Sequence, residues 1–344
     1  MILLEKLISL TSSLGYYHIA NVAALKFYLN FLSIKNKSKF SDLSKTIIIT
    51  GSPRSGTTWL VELYQKYLDP FYIHEPLFKG RTQQWDQLNL GWEQFFPDDF
   101  QNETIKKVMK DLLSGVILNP ALVQHNKLKQ SDRKQFLMTK FVRGNLLLPW
   151  LTASFPFVIK PVYVIRHPCA VISSMLKHEA WNYRHQISFP LKWKPEQTLF
   201  SNRFHSIVTA LPALHTVEEL FALQWCLNAY PVYHSRNNQD WHSVAYEDLI
   251  QSDTETLRKI GLSSLPEEAF NKASFSALDH NQNVHKQISK WKQALTHEQI
   301  ERIFRIIRVF NIKLYQKNNE YPDKKILLAS NNYSQLFRSL SFNS

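Results

Sequence analysis

The sequence predicts an α/β domain: a P-loop-like parallel sheet with helices on both faces, preceded by a helical extension over residues 1–40. Three observations carry this. The run Thr46-Ile47-Ile48-Ile49-Thr50 is β-branched throughout, the composition of a buried strand. It passes through the turn formers Gly51, Ser52 and Pro53 into apolar residues at Leu60, Leu63, Tyr64, Tyr67 and Leu68, the spacing of one helix face. A second apolar run, Val162-Tyr163-Val164-Ile165, ends at Arg166-His167-Pro168 and leads into a helical stretch from Ala170 to Lys177.

The elements follow in order. Residues 1–34 are apolar, and Leu7–Leu25 holds no Asp, Glu, Lys or Arg. Thr11, Ser12, Ser13, Gly15, His18 and Asn21 nevertheless make that stretch too polar for a spanning helix. Neither a positive start nor a small-residue cleavage site marks a signal peptide. Two readings stand for residues 1–34: helices packing on the domain, or an interfacial helix making peripheral membrane contact. Lys35–Lys45 is a polar linker, and the main domain is taken as residues 41–344.

After the first helix Pro70 breaks the pattern, and Phe71-Tyr72-Ile73 reads as a short strand ending at His74-Glu75-Pro76. Residues 79–99, with Gly80, Gly91 and Pro97, read as a loop region over the strand ends. A helix is expected from Asn102 to Val116 and a strand within Gln135–Phe141. Pro168 suits the first turn of its helix, where a missing N–H costs nothing. Residues 182–213, with Pro190, Pro195 and Pro212, read as an irregular insertion. Thr216-x-x-Glu219 is a capping box opening a helix through Leu227, and Val244–Ile250 reads as a strand end. A second box, Thr296-x-x-Gln299, opens a last amphipathic helix with Ile300, Ile303, Phe304, Ile307 and Phe310 on one face.

Over 344 residues, 41 Lys and Arg against 28 Asp and Glu give a net charge of +13 and point to an anionic partner. The excess is spread along the chain without a run of five like charges, which argues against a nucleic-acid arm. Two cysteines, Cys169 and Cys226, cannot build a disulfide framework; both sit in apolar surroundings and fit either a reducing, cytoplasmic setting or indifference to the compartment. No His/Cys/Asp/Glu set has metal-ligand spacing.

Chemistry concentrates at three strand ends, which in a parallel sheet share one edge. Gly51-x4-Gly56 has the spacing of the front of a Walker A loop, yet Thr57 stands where that motif needs Lys, and the cation is Arg54 inside the turn. Free N–H groups and the helix dipole make such a turn an anion cradle. Arg166 offers bidentate contact to a second phosphate, and Ser173 or Ser174 adds a hydroxyl. Taken bare, Arg166 could equally pair with a carboxylate while the serines face solvent.

The resemblance that these residues carry is specific. Pro53-Arg54-Ser55-Gly56-Thr57-Thr58-Trp59-Leu60 resembles the 5′-phosphosulfate loop of sulfotransferases that use 3′-phosphoadenosine 5′-phosphosulfate, in carbohydrate, tyrosylprotein and bacterial members. Val164-Ile165-Arg166-His167-Pro168 followed by Ser174 is similar to their 3′-phosphate motif. Tyr246-Glu247-Asp248-Leu249 and Ser289-Lys290-Trp291-Lys292 match further family stretches. The resemblance spans roughly residues 45–315 and implies a five-stranded parallel sheet.

It also implies roles. Arg54 would stabilise charge on the oxygen between sulfate and 5′-phosphate. Ser55, Gly56, Thr57 and Thr58 would hold the 5′-phosphate, and Trp59 would pack on adenine unless it is simply a core residue. Arg166 and Ser174 would grip the 3′-phosphate, with Lys286 and Lys290 as further contacts. Glu75, in a His-Glu-Pro-Leu context, is the candidate base, with His74 as the other candidate. Sulfuryl transfer has one fewer negative charge to neutralise than phosphoryl transfer, so no metal is implied. A glycan or glycolipid hydroxyl is the favoured acceptor, with Trp85, Trp92, Phe95, Phe96, Trp181 and Tyr183 available to stack on sugar rings. A P-loop nucleotide phosphotransferase and a non-catalytic module binding acidic glycans are the competing readings.

Overall fold

The computed structural model describes residues 17–90, 94–126, 128–194, 204–235, 238–270 and 284–329. Its principal elements are α1 (Tyr17–Phe40), β1 (Thr46–Gly51), α2 (Thr57–Tyr67), β2 (Phe71–His74), α3 (Glu103–Leu113), β3 (Leu137–Phe141), α4 (Leu148–Ser154), β4 (Val162–Ile165), α5 (Pro168–Leu176), α6 (Val217–His234), β5 (His242–Ala245), α7 (Tyr246–Ile250) and α8 (His297–Val309). The five strands pair in the order β2-β3-β1-β4-β5, and every pairing is parallel. The chain is therefore an α/β protein with a fully parallel sheet. β1 lies at the centre, between β3 and β4, so its carboxyl end opens where the chain order reverses across the sheet, the usual ligand crevice of such sheets.

The alternation of β1 builds both faces. Ile48 joins a core with Leu29 and Leu32 of α1, Leu112 of α3 and Trp150 of α4. Ile47 and Ile49 point the other way, onto Trp59 and Leu63 of α2 and Leu249 of α7. A third core gathers Tyr163 and Ile165 of β4 with α5, α6 and α8. With helices on both faces, near-continuous apolar strands are the expected pattern, and all six residues of β1 are buried.

Several local expectations are corrected. The stretch expected as a strand end over Val244–Ile250 divides: pairing with β4 stops at Ala245, and Tyr246–Ile250 is helical, with Glu247 and Asp248 in its first turn. The box at Thr216 does not form. Glu219 accepts from the N–H of His215 at 2.6 Å, outside the N-cap, Arg305 of α8 takes its other oxygen, and among the described residues the buried Thr216 hydroxyl has no partner. α6 then runs past Leu227 to His234. The box at Thr296 forms completely. The region over residues 79–99 contains a short helix, Gln83–Asp86, and residues 91–93, Trp92 among them, lie outside the described residues.

α1 is docked on the sheet domain. Its Ser33 hydroxyl donates to the Val116 carbonyl at 2.6 Å, and Asn36 donates to the Gly115 carbonyl at 3.1 Å. Residues 1–16, to which part of the N-terminal helical expectation applies, lie outside the described residues.

Candidate active site

The turn from β1 into α2 is as tight as its glycines allow. A Cβ on Gly51 would meet the Val164 carbonyl at 2.3 Å, and one on Gly56 would strike the Tyr246 ring at 2.3 Å. Gly56, at φ +96°, is the N-cap of α2, so the helix begins without a side-chain cap and its first N–H groups face the turn. Arg54 sits in the left-handed region at φ +67°, a strained position for a non-glycine residue.

This turn and the end of β4 are joined by the cations. Arg54 Nε donates to Ser174 Oγ at 2.9 Å, and Arg166 Nη1 donates to the Arg54 carbonyl at 3.2 Å. Arg166 Nη2 donates to the Gln287 carbonyl at 3.3 Å, and its guanidinium carbon lies 4.4 Å from the centroid of the Tyr246 ring. Burial, then repulsion from Arg166, lowers the basicity of Arg54. Among the described residues, the Nε of Arg166 is buried with no hydrogen-bond partner. The structure therefore brings Arg54, Ser174 and Arg166 together, beside the buried Ser55 and Thr57 and the half-buried Thr58.

Trp59 is different. It is 4% exposed and packs edge-on to Tyr246, with Phe270 at 6.1 Å, as a core residue does. Lys286 is exposed, on the turn whose Gln287 carbonyl meets Arg166, and Lys290 is exposed just beyond it.

Glu75 follows β2 with φ +47° and is buried. Its Oε1 lies 3.0 Å from Lys140 Nζ of β3, and Oε2 accepts from the Val142 N–H at 3.1 Å with Arg143 Nη1 at 3.9 Å. The same Lys140 ammonium donates to Thr58 Oγ1 at 3.0 Å. The cation missing at position 57 is thus supplied in space from the neighbouring strand, and one lysine links the carboxylate to the helix start of the anion turn. Lys140 and Arg143 were not singled out from the sequence. Lys140 pairs with His74 in the β2–β3 ladder, a register that a chain read in one dimension cannot display.

His74 keeps other company. Its Nδ1 is 2.9 Å from the Tyr72 hydroxyl, its ring meets His125 edge-on at 4.5 Å, and its carbonyl accepts from Arg81. Burial, with Lys140, Arg81 and His125 nearby, pulls its pKa down to about 3, which leaves a neutral and weakly basic imidazole.

The Tyr-Glu-Asp-Leu stretch is a buttress. Tyr246 closes on Gly56 and Arg166, while the buried Glu247 accepts from the His167 N–H at 2.9 Å and the Tyr315 hydroxyl at 2.8 Å. Burial raises the Glu247 pKa to about 7. His167 caps α5, stacks on Trp291 at 4.4 Å, and has its pKa lowered by burial to about 4. Both cysteines are buried with raised thiol pKa values and belong to the core.

A small cleft, partly open to solvent, starts at Ser52 and Pro53 of the turn. Its walls include Arg143, Val171, Met175, Trp181, Phe221, Gln224 and Trp225. Of the aromatics expected to meet sugars, Trp181 lines this cleft, whereas Trp85, Phe95 and Phe96 are core residues. The side chain of Tyr183 lies outside the described residues. Among the described residues no cluster of three or more His, Cys, Asp or Glu could hold a metal ion.

The fold and edge thus define a parallel α/β protein with two adjoining cationic centres and a carboxylate–lysine pair at the carboxyl ends of its strands. No family model matches the chain, and no curated protein matches it. A solved structure described as the sulfotransferase domain from the curacin biosynthetic pathway is similar at 18% identity, covering 78% of this chain and 98% of that one, with a TM-score of 0.40.

Proposed function

We propose that the protein is a sulfotransferase that moves a sulfuryl group from 3′-phosphoadenosine 5′-phosphosulfate to an acceptor hydroxyl. The observation that carries this is the joining of two anion sites: Arg54 bonded to Ser174, and Arg166 bonded to the Arg54 carbonyl. A ligand with two separated anionic groups fits adjoining cations of this kind. Among the described residues, the buried Nε of Arg166 has no hydrogen-bond partner and the start of α2 has no side-chain cap, which leaves donors that suit an anionic acceptor.

In this reading the N–H groups of Ser55 to Thr58 hold the 5′-phosphate, Arg166 and Ser174 the 3′-phosphate, and Arg54 the bridging oxygen. Lys140, already on Thr58, adds charge stabilisation where the leaving phosphate develops its negative charge. The acceptor oxygen forms a bond to sulfur as the bond from sulfur to the bridging oxygen breaks. Glu75 takes the hydroxyl proton, and the electron pair leaves on the 5′-phosphate of adenosine 3′,5′-bisphosphate. Glu75 is favoured over His74 because burial leaves the imidazole only weakly basic. No metal enters the scheme.

The acceptor is read as a glycan or glycolipid hydroxyl entering along the cleft. Trp181 offers a ring and Arg143 and Gln224 offer polar groups, a mixture that suits a hydroxyl on a partly apolar body and favours the glycolipid.

The test is transfer of labelled sulfate to glycolipids, glycans and phenols, with the Glu75→Gln variant alongside. The wild-type chain should label a hydroxyl acceptor. Glu75→Gln should lower turnover by about 10²–10⁴ while donor binding persists. Near-full turnover in the variant would remove Glu75 from the role of base.

A further inference from the structure

The helix α1 carries apolar residues on two opposite faces. One face is the core face already described, with Leu29, Leu32 and Phe40 buried. On the other side Phe27 is 73% exposed, Phe31 40% and Ile34 72%. The spacing of these three, i, i+4 and i+7, puts them in one stripe. Because the opposite face is fixed by Ser33, Asn36 and the core leucines, the helix cannot roll to hide it.

The borders of the stripe are basic. Lys35 Nζ lies 5.3 Å from the Phe31 ring centroid on one side. By the helical period, the exposed Lys26 and Lys37 flank the other side. From Tyr17 to Phe40 there is no Asp or Glu. Long lysines beside exposed aromatics are suited to an interface, their stems on apolar surface and their ammonium groups at the polar boundary.

We propose that this face of α1 docks the protein on a lipid bilayer surface bearing anionic headgroups. Phe27, Phe31 and Ile34 enter the boundary between headgroups and acyl chains, and Lys26, Lys35 and Lys37 meet the headgroup charges. Charge complementarity selects this occupant over a second copy of the chain, since packing the stripe on itself would bring acid-free lysine rows together. The contact is peripheral: among the described residues no helix is long and apolar enough to cross a membrane. It stands independently of the chemistry at the strand ends.

The experiment is flotation of the full-length protein with phosphatidylcholine vesicles, with and without phosphatidylserine. The proposal expects flotation with the anionic vesicles only, weakened by added salt. Replacing Phe27, Phe31 and Ile34 by Ser should abolish it. Replacing Lys26, Lys35 and Lys37 by Gln should weaken it on the order of 10²-fold, from the contribution of each basic residue near an anionic surface. All six positions are exposed, so unchanged melting temperatures show that the variants fold. Three results overturn the proposal: a wild-type chain that ignores anionic vesicles, flotation unchanged in both variants, or vesicle indifference with a dimer that the Ser variant converts to monomer.

Discussion

The two halves of the strand-end edge handle charge in opposite ways. At β2 and β3 the charges are matched internally: Glu75 lies against Lys140 and takes the Val142 N–H, with Arg143 in support. At β1 and β4 Arg166 repels Arg54 and donates to the Arg54 and Gln287 carbonyls, and among the described residues its Nε has no hydrogen-bond partner. Matched charges hold themselves in place, whereas neighbouring like charges repel. In the proposed reaction the first half handles the proton and its charge, and the second grips the ligand. Lys140, in contact with both Glu75 and Thr58, is the bridge between them.

This comparison breaks if substitutions on the two sides act alike. The largest effect belongs to Glu75→Gln, which should strike turnover and spare donor binding. Arg166→Gln should do the reverse. Loss of charge-assisted contacts should weaken binding of 3′-phosphorylated nucleotide by about 10- to 100-fold, while nucleotides without a 3′-phosphate bind as before. Titration calorimetry with the paired nucleotides reads this directly, and equal losses for both would move the 3′-phosphate away from Arg166.

The smallest effect concerns the buttress beneath the β4 side. The Glu247 pKa of about 7 lies above its ordinary 4.5 because burial disfavours the charge. Between those values the folded state keeps a proton that the unfolded chain has lost, so this group contributes stability that falls as pH rises from 4.5 to 7. Glu247→Gln removes that dependence. Relative to wild type it should gain stability across the same window, by up to roughly 3 kcal/mol, in denaturant melts at a series of pH values. A difference that stays flat with pH would show that Glu247 ionises freely. The histidines act with opposite sign: His74 and His167, with pKa values of about 3 and 4, cost stability as pH falls below 6.5.

The same comparison explains what the sequence disclosed. The β1–β4 half was legible because its parts are local: a β-branched run, a glycine turn and a helix stripe place Arg54, and an apolar run ending in Arg166-His167-Pro168 places the other cation. The β2–β3 half was legible only at Glu75. Lys140 and Arg143 join through strand register, and β3 alternates too weakly to announce which side chains reach the edge. Tyr246 behaves likewise, since its packing on Gly56 joins residues far apart in the chain. Trp59 shows the converse, a residue given a ligand role by its motif that the α2 stripe turns into the core. At Thr216 the capping pattern was present, but the Glu219 carboxylate is spent on the His215 N–H and on Arg305.

The central claim is that the β1–β4 edge grips a 3′,5′-bisphosphorylated adenosine without metal. Thermal unfolding in the presence of a chelator tests it most directly. Adenosine 3′,5′-bisphosphate at about a hundredfold excess over its Kd should add roughly 2.7 kcal/mol and raise the melting temperature by several degrees. Adenosine 5′-phosphate should protect far less at the same concentration, and ATP with magnesium, in a matched sample without chelator, should also protect far less. Protection by ATP with magnesium, and none by the bisphosphate, would contradict the claim and make the turn a phosphotransferase loop.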